Sequence, residues 1–346
     1  MSGRGPDPLV SSLLAEYGAV TRRALDAYLP AREPRRYLYD VVADYPQRGG
    51  KMMRPSLCIA TARAFGAATD DALHAAVAIE LIHNAMLIHD DIEDESEERR
   101  GRPTLHELHG VPLALNAGDA LTLLSLRPIL DGRTRLGPRV AMRMLEETER
   151  MARESAEGQA LELGWRRDNV LDLDDRDYLD LVLKKTCWLA TIFPARVGAL
   201  IATRDGIDLD PFIRLGFFLG AAFQIQDDVL NLVGDRARYG KEIAGDLREG
   251  KRTLVLIHLA RHADDSERAR LLDLLGRPRP QRTDADVEWM LGRMDAYGSI
   301  DYARRVAQGL AGAARHECAR IFHGLPLTRD RRFIEELATW VFERSA

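Results

Sequence analysis

The chain has 346 residues, 46% of them hydrophobic and 30% charged, with a formal net charge of −5, so nothing in its charge balance points to nucleic-acid binding. It is long enough to bury a large core, and no linker-like stretch divides it, so a single domain spanning residues 1–346 is expected. The cysteines Cys58, Cys187 and Cys318 form no metal-ligand or disulfide pattern, Met1–Pro8 has no apolar signal segment, and no run of about 18 apolar residues occurs; a cytoplasmic chain without a transmembrane segment is expected.

Helical periodicity dominates and alternating β-branched runs are scarce, which predicts an all-α fold. In chain order the predicted helices cover roughly 8–30, 34–44, 52–65, 70–92, 112–130, 137–163, 174–204, 208–233, 252–262, 267–275, 284–297 and, with breaks, 299–344. Residues 1–7, polar and rich in Gly and Pro, are expected to be disordered. Breaks fall at Gly49-Gly50, at Gly101 to Pro103, at Asp205-Gly206 and at Gly276 to Pro280, and Thr283 with Asp286 forms a helix-starting cap.

Two acidic runs end apolar helices far apart in the chain: Asp90-Asp91-Ile92-Glu93-Asp94, and Phe223-Gln224-Ile225-Gln226-Asp227-Asp228-Val229-Leu230-Asn231. Positions i, i+1 and i+4 of a helix fall on or near one face, so each run is expected to present several oxygens to a shared point. Oxygen-only ligands suit a hard cation such as Mg²⁺, which shares its coordination with substrate phosphates. Seven of the nine residues from Asp90 to Glu98 are acidic at a helix C-terminus that already carries partial negative charge, and bound cations would relieve the repulsion. A solvated acidic turn is the plainer reading of such a run. Arg99-Arg100-Gly101-Arg102-Pro103-Thr104 follows directly; taken alone these arginines are surface ion-pair partners, but arginine forks also match phosphate oxygens.

Together, Asp90-Asp91-Ile92-Glu93-Asp94 and Arg99-Arg100-Gly101-Arg102-Pro103-Thr104 resemble the first aspartate-rich motif of the trans-isoprenyl diphosphate synthases, in a pattern nearest that of geranylgeranyl diphosphate synthases. Gly49-Gly50-Lys51-Met52-Met53-Arg54-Pro55, Lys185-Thr186, Phe223-Gln224 with Asp227-Asp228, and Tyr239-Gly240-Lys241 with Gly245 to Thr253 resemble four further motifs, in family order. The resemblance implies a helical bundle of the class I isoprenoid synthase type with a central active-site cavity. It also implies a prenyltransferase that condenses an allylic diphosphate with isopentenyl diphosphate, and a homodimer.

By the same resemblance, Asp90, Asp91 and Asp94 facing Asp227 and Asp228 hold three Mg²⁺, and Asp90, Asp91, Lys185 and Asp227 are the catalytic set. Arg99, Lys185, Thr186, Gln224, Lys241 and Lys251 bind the allylic diphosphate; Lys51, Arg54, His83 and Arg100 bind isopentenyl diphosphate. Without the family, His83 reads as a hydrogen-bonded histidine at the core edge. Three departures stand out: Asn231 where many members have aspartate, Glu162 in Gly158-Gln159-Ala160-Leu161-Glu162 where aspartate is expected, and the bulky Cys187-Trp188.

By the same resemblance, Met86, Ala85 and Ile82, four, five and eight residues before Asp90, are expected to form the floor that sets product length, and the aromatic residue common there in short-product members is missing. A C20 product, geranylgeranyl diphosphate, is expected, with C25 or longer as the alternative. Rival readings have weaker support. A class I terpene cyclase has no use for the second basic site at Lys51, Arg54 and Arg100; a non-catalytic subunit would be expected to lose aspartates; and a di-iron bundle needs a second partner for Glu80-x-x-His83.

Overall fold

The computed structural model describes residues 8–234 and 243–343; the expectation for residues 1–7 lies outside them. Helix α1 (Pro8–Leu25) leads to α2 (Asp40–Gln47), α3 (Met53–Ala64) and the 25-residue α4 (Thr69–Glu93). A two-residue-strand hairpin, β1 (Glu98–Arg99) with β2 (Arg102–Pro103), precedes the short α5 (Leu105–His109). Next come α6 (Val111–Leu124), α7 (Leu126–Leu136) and α8 (Pro138–Arg167). Helix α9 (Asp175–Val182) runs through a π-helical stretch, Leu183–Ile192, into α10 (Phe193–Thr203), and α11 (Pro211–Val233) follows. The remainder is α12 (Gly245–Glu249), α13 (Leu254–His262), α14 (Asp265–Gly276), α15 (Asp284–Ala296), α16 (Ser299–Ile321) and α17 (Arg329–Glu343).

The predicted helix at 112–130 divides at Ser125, because Pro128 has no N–H to offer the Leu124 carbonyl one turn back. The predicted cap at Thr283 is present: its hydroxyl accepts from the Asp286 N–H, and the Asp286 carboxylate accepts from the Thr283 N–H. Along α16 a stripe of small residues, Ala303, Ala307, Ala311, Ala314 and Cys318, is buried and lets that helix lie against α11.

Helix α4 packs against α3, α6 and α7, and α10 against α3, so the helices that end in the chemically informative motifs form the centre of the bundle. Two stretches, Thr69–Glu93 and Asp175–Thr203, are long and apolar enough to cross a membrane by length and composition alone. Their apolar windows are 67% and 83% buried inside the protein, which accounts for that apolarity as core packing.

Candidate active site

The last turn of α4, the K-T stretch after α9, the C-terminal half of α11 and the α12 loop meet around one cavity of about 620 Å³. Asp90 points into it, 3.3 Å from the Lys185 ammonium and 3.6 Å from the Arg99 guanidinium. Asp91 does not. Successive helical residues are rotated by about 100°, and Asp91 is turned into the protein with a side chain 1% exposed. There it accepts hydrogen bonds from the Tyr45 hydroxyl at 2.5 Å and from Arg99 Nε at 3.0 Å.

Asp94 caps α4 and is also outside the cavity wall: its Oδ1 accepts from Arg166 at 2.6 Å, and its Oδ2 lies 2.7 Å from Lys251 Nζ. Of the three carboxylates expected to share one point, Asp90 is the one that lines the cavity in this structure. Among the described residues, no group of three His, Cys, Asp or Glu side chains is placed to hold a metal.

From α11 both Asp227 and Asp228 line the cavity. Asp228 is buried; its carboxylate accepts from Tyr178 and from Gln224, each at 2.7 Å, and Gln224 in turn accepts from the Thr186 hydroxyl at 3.0 Å. Burial, and then the charge of Asp246, push Asp228 well above the usual carboxylate range. Asn231, where many members have aspartate, does not line the cavity. Its side-chain oxygen accepts the Asp246 N–H at 3.2 Å and its carbonyl accepts the Ala244 N–H at 2.7 Å, so it pins the turn that carries Asp246 to the cavity wall.

The basic groups are placed by local geometry. Arg100 and Gly101 both have positive φ, +56° and +71°, as a two-residue hairpin turn requires. That turn sends Arg99 inward to Asp91 and Arg100 over Gly50, where a β-carbon would stand 2.9 Å from the Arg100 guanidinium. Lys51, Arg54, His83 and Arg100 also line the cavity. The buried Arg54 Nε and His83 Nδ1 have no hydrogen-bond partner among the described residues. Burial pushes the Arg54 guanidinium down to about 10, against the opposing charge of Glu80. Burial, then Arg54 and Arg100, hold His83 well below its ordinary value, so it is neutral.

Lys185 lies in the π-helical stretch, where α8 comes so close at Gly158 that a β-carbon there would be 2.3 Å from the Lys185 nitrogen. Its ammonium is 2.5 Å from Glu162, so the longer carboxylate at that position reaches the lysine directly. Burial works against the charge of Lys185, but Glu162 and then Asp90 hold its pKa above the usual lysine range. Lys251 is held up in the same way by Asp94, Glu249 and Asp246. Lys241 lies outside the described residues.

The apolar part of the cavity departs from expectation. Met86 lines it, but Ile82 and Ala85 do not: Ile82 is packed in the main core, and Ala85 lies in a second core cluster with Val41, Tyr45, Ala114 and Ala117. The opposing wall comes from α8, with Ala152, Ser155 and Ala156, and from Leu181, Val182, Leu189 and Phe223. The stripe Ala152, Ser155 and Ala156, small residues on one face of an otherwise charged helix, is the sequence signal that marks this wall. Cys187 and Trp188 are buried away from the cavity, and Trp188 lies beneath the Arg150 guanidinium, 4.6 Å from the ring centre.

Carboxylate and amide oxygens on two helix ends, beside lysines and arginines in one cavity, are a donor set that fits a hard divalent cation shared with a diphosphate. An all-helical bundle carrying that pair of acidic walls, with a second basic subsite and an apolar wall behind them, defines the class of prenyl-transferring synthases.

The comparisons with known proteins bring the chain to one family. The polyprenyl synthetase family model matches residues 35–294. The geranylgeranyl pyrophosphate synthase of Geoglobus acetivorans is 30% identical over 337 residues, 97% of this chain and 99% of that protein. The geranylfarnesyl diphosphate synthase of Natronomonas pharaonis is 30% identical over 352 residues, 97% of this chain and 98% of its own. The crystal structure of a polyprenyl synthase from Caulobacter crescentus, complexed with calcium and isoprenyl diphosphate, superposes with a TM-score of 0.85 at 28% identity, covering 100% of both chains. The chain belongs to the polyprenyl synthetase family and is a prenyltransferase acting on isoprenyl diphosphates.

Proposed function

We propose that the enzyme makes a trans-polyprenyl diphosphate, geranylgeranyl diphosphate, by joining isopentenyl diphosphate head-to-tail to an allylic diphosphate. The observation that supports this reading is one cavity lined both by Asp90, Lys185, Asp227 and Asp228 and by Lys51, Arg54, His83 and Arg100.

Asp90, Asp227 and Asp228 would hold Mg²⁺, three ions when the allylic diphosphate is present, with Asp94 joining them if it is freed from its cations. The metal supplies Lewis-acid neutralisation of the departing pyrophosphate. Lys185, Lys251 and Arg99, with Thr186 and Gln224 hydrogen-bonding beside them, hold the allylic diphosphate, as does Lys241 by its place in the motif. Asp91 acts by fixing Arg99. The allylic C1–O bond breaks with its electron pair leaving on pyrophosphate. The double bond of isopentenyl diphosphate, held by Lys51, Arg54, Arg100 and neutral His83, forms the new bond to C1, and a proton is lost to the pyrophosphate.

Product length is read from Met86 and from Ala152, Ser155 and Ala156 opposite it, which leave room for a chain where an aromatic side chain would stop it. One helical turn, about 5.4 Å, accommodates roughly one isoprene unit. The geranylgeranyl synthase from Geoglobus acetivorans supports C20, and the geranylfarnesyl synthase from Natronomonas pharaonis marks C25 as the second reading. Incubation with dimethylallyl, geranyl or farnesyl diphosphate plus labelled isopentenyl diphosphate tests this. A C20 end product, shortened by Met86→Phe and by Ser155→Phe, is expected; a C25 or longer product overturns the length assignment.

We read the chain as one domain, because helices from both halves build the cavity. A homodimer is supported by the exposed apolar residues Leu108, Val111, Leu115 and Leu123 along α5 and α6. The free, buried thiols of Cys58, Cys187 and Cys318 suit a cytoplasmic setting.

A further inference from the structure

Asp94 is clamped between two cations, one on each oxygen. The two are not equivalent. Lys251 lines the cavity and has other acids to turn to, Glu249 at 2.8 Å and Asp246 at 3.8 Å, so it can leave Asp94 without being stranded. Glu249 is itself braced by Arg279 at 3.1 Å. Arg166 does not line the cavity, and among the described residues Asp94 is the acid it pairs with. It sits in the last turn of α8, where the helix end favours a cation, so its position is set by the fold as well as by Asp94.

We propose that Arg166 is a positioning residue that competes with the divalent cation for Asp94 and so sets how much metal the enzyme needs. This rests on the reading of the acidic walls as the cation site. Asp94 can turn toward that site only by giving up the Arg166 hydrogen bond, while the Lys251 contact is surrendered to Glu249 and Asp246. No part of this is visible in the aspartate-rich motif itself, since Arg166 lies 72 residues further along the chain.

The test is a Mn²⁺ titration of the full-length protein, followed by electron paramagnetic resonance, with and without inorganic pyrophosphate. Arg166→Gln is expected to tighten Mn²⁺ binding about fivefold, the factor a part-exposed ion pair commands. Arg166→Lys, a point charge in place of a fork, is expected to fall between. Arg167→Gln removes the same charge from the adjacent residue, which faces Asp168, and is expected to leave Mn²⁺ binding unchanged. Melting temperatures of all variants identify any that fail to fold, and Arg166→Lys keeps the test decisive if Arg166→Gln is one of them. Equal or weaker Mn²⁺ binding in both Arg166 variants, or an equal gain in Arg167→Gln, overturns the inference while leaving the cation site standing. Absence of protein-bound Mn²⁺ in the wild type overturns both.

Discussion

Asp90 and Asp91 are neighbours with opposite duties. The Asp90 side chain is 27% exposed and lines the cavity, with Lys185 at 3.3 Å and Arg99 at 3.6 Å. The Asp91 carboxylate is sealed against Arg99 and Tyr45. Asp91→Asn is expected to destabilise the fold by about 3 kcal/mol, because it strands a buried guanidinium. Asp90→Asn should cost less than about 1 kcal/mol by the same urea-melt comparison; equal losses would contradict the division. The motif spacing identified the right helix end, yet helical rotation decided which aspartate faces inward, and that rotation is set by the packing of α4.

His83 provides a second residue-scale test. It is kept neutral by burial and by Arg54 and Arg100, whereas in the unfolded chain it takes up a proton near pH 6.5. Below that pH the unfolded state binds more protons than the folded one, so His83 makes stability fall as pH drops. His83→Gln should flatten the urea midpoint against pH between about 7.5 and 5.5, and an unchanged slope would show that His83 protonates freely in the fold.

At the scale of the element, the π-helical stretch Leu183–Ile192 matters most, since it carries Lys185 and Thr186 into the cavity. Gly158 on α8 is what lets it approach. Gly158→Ala puts a methyl group into backbone atoms and should cost about 1–3 kcal/mol through overpacking, with a loss of turnover as Lys185 is displaced. A variant with wild-type melting temperature and turnover would show that the two helices can part without harm. The long helices are legible from periodicity, and residues 174–204 read as one helix, but nothing in that periodicity marks the change of hydrogen-bond pattern within it. The hairpin at Glu98–Pro103 was hidden for a different reason: its strands are two residues long and lie in a run of charge with no alternation to read. The small residues of α8 mark an apolar wall only when the fold sets them in the same cavity as Met86, because on the helix alone they carry no charge or motif that sets them apart.

At the scale of the molecule, the bundle brings residues from α4, from the stretch after α9, and from α11 and α12 to one cavity, so the site exists only when the fold is complete. The exposed leucines of α5 and α6 bear on the proposed homodimer: the wild type is expected to sediment as a dimer and Leu115→Asp with Leu123→Asp as a monomer, and equal masses for the two would contradict that assignment. The central claim is that Asp90 and Asp227 form the two facing walls of one ionisation site. Incorporation of label from isopentenyl diphosphate into extractable prenyl product, compared between the wild type, Asp90→Asn and Asp227→Asn at saturating Mg²⁺, tests it most directly. Each substitution is predicted to lower the rate by about 10²–10³-fold, as for other preorganised groups that stabilise a leaving charge. A variant of either wall that retains wild-type incorporation would contradict the account.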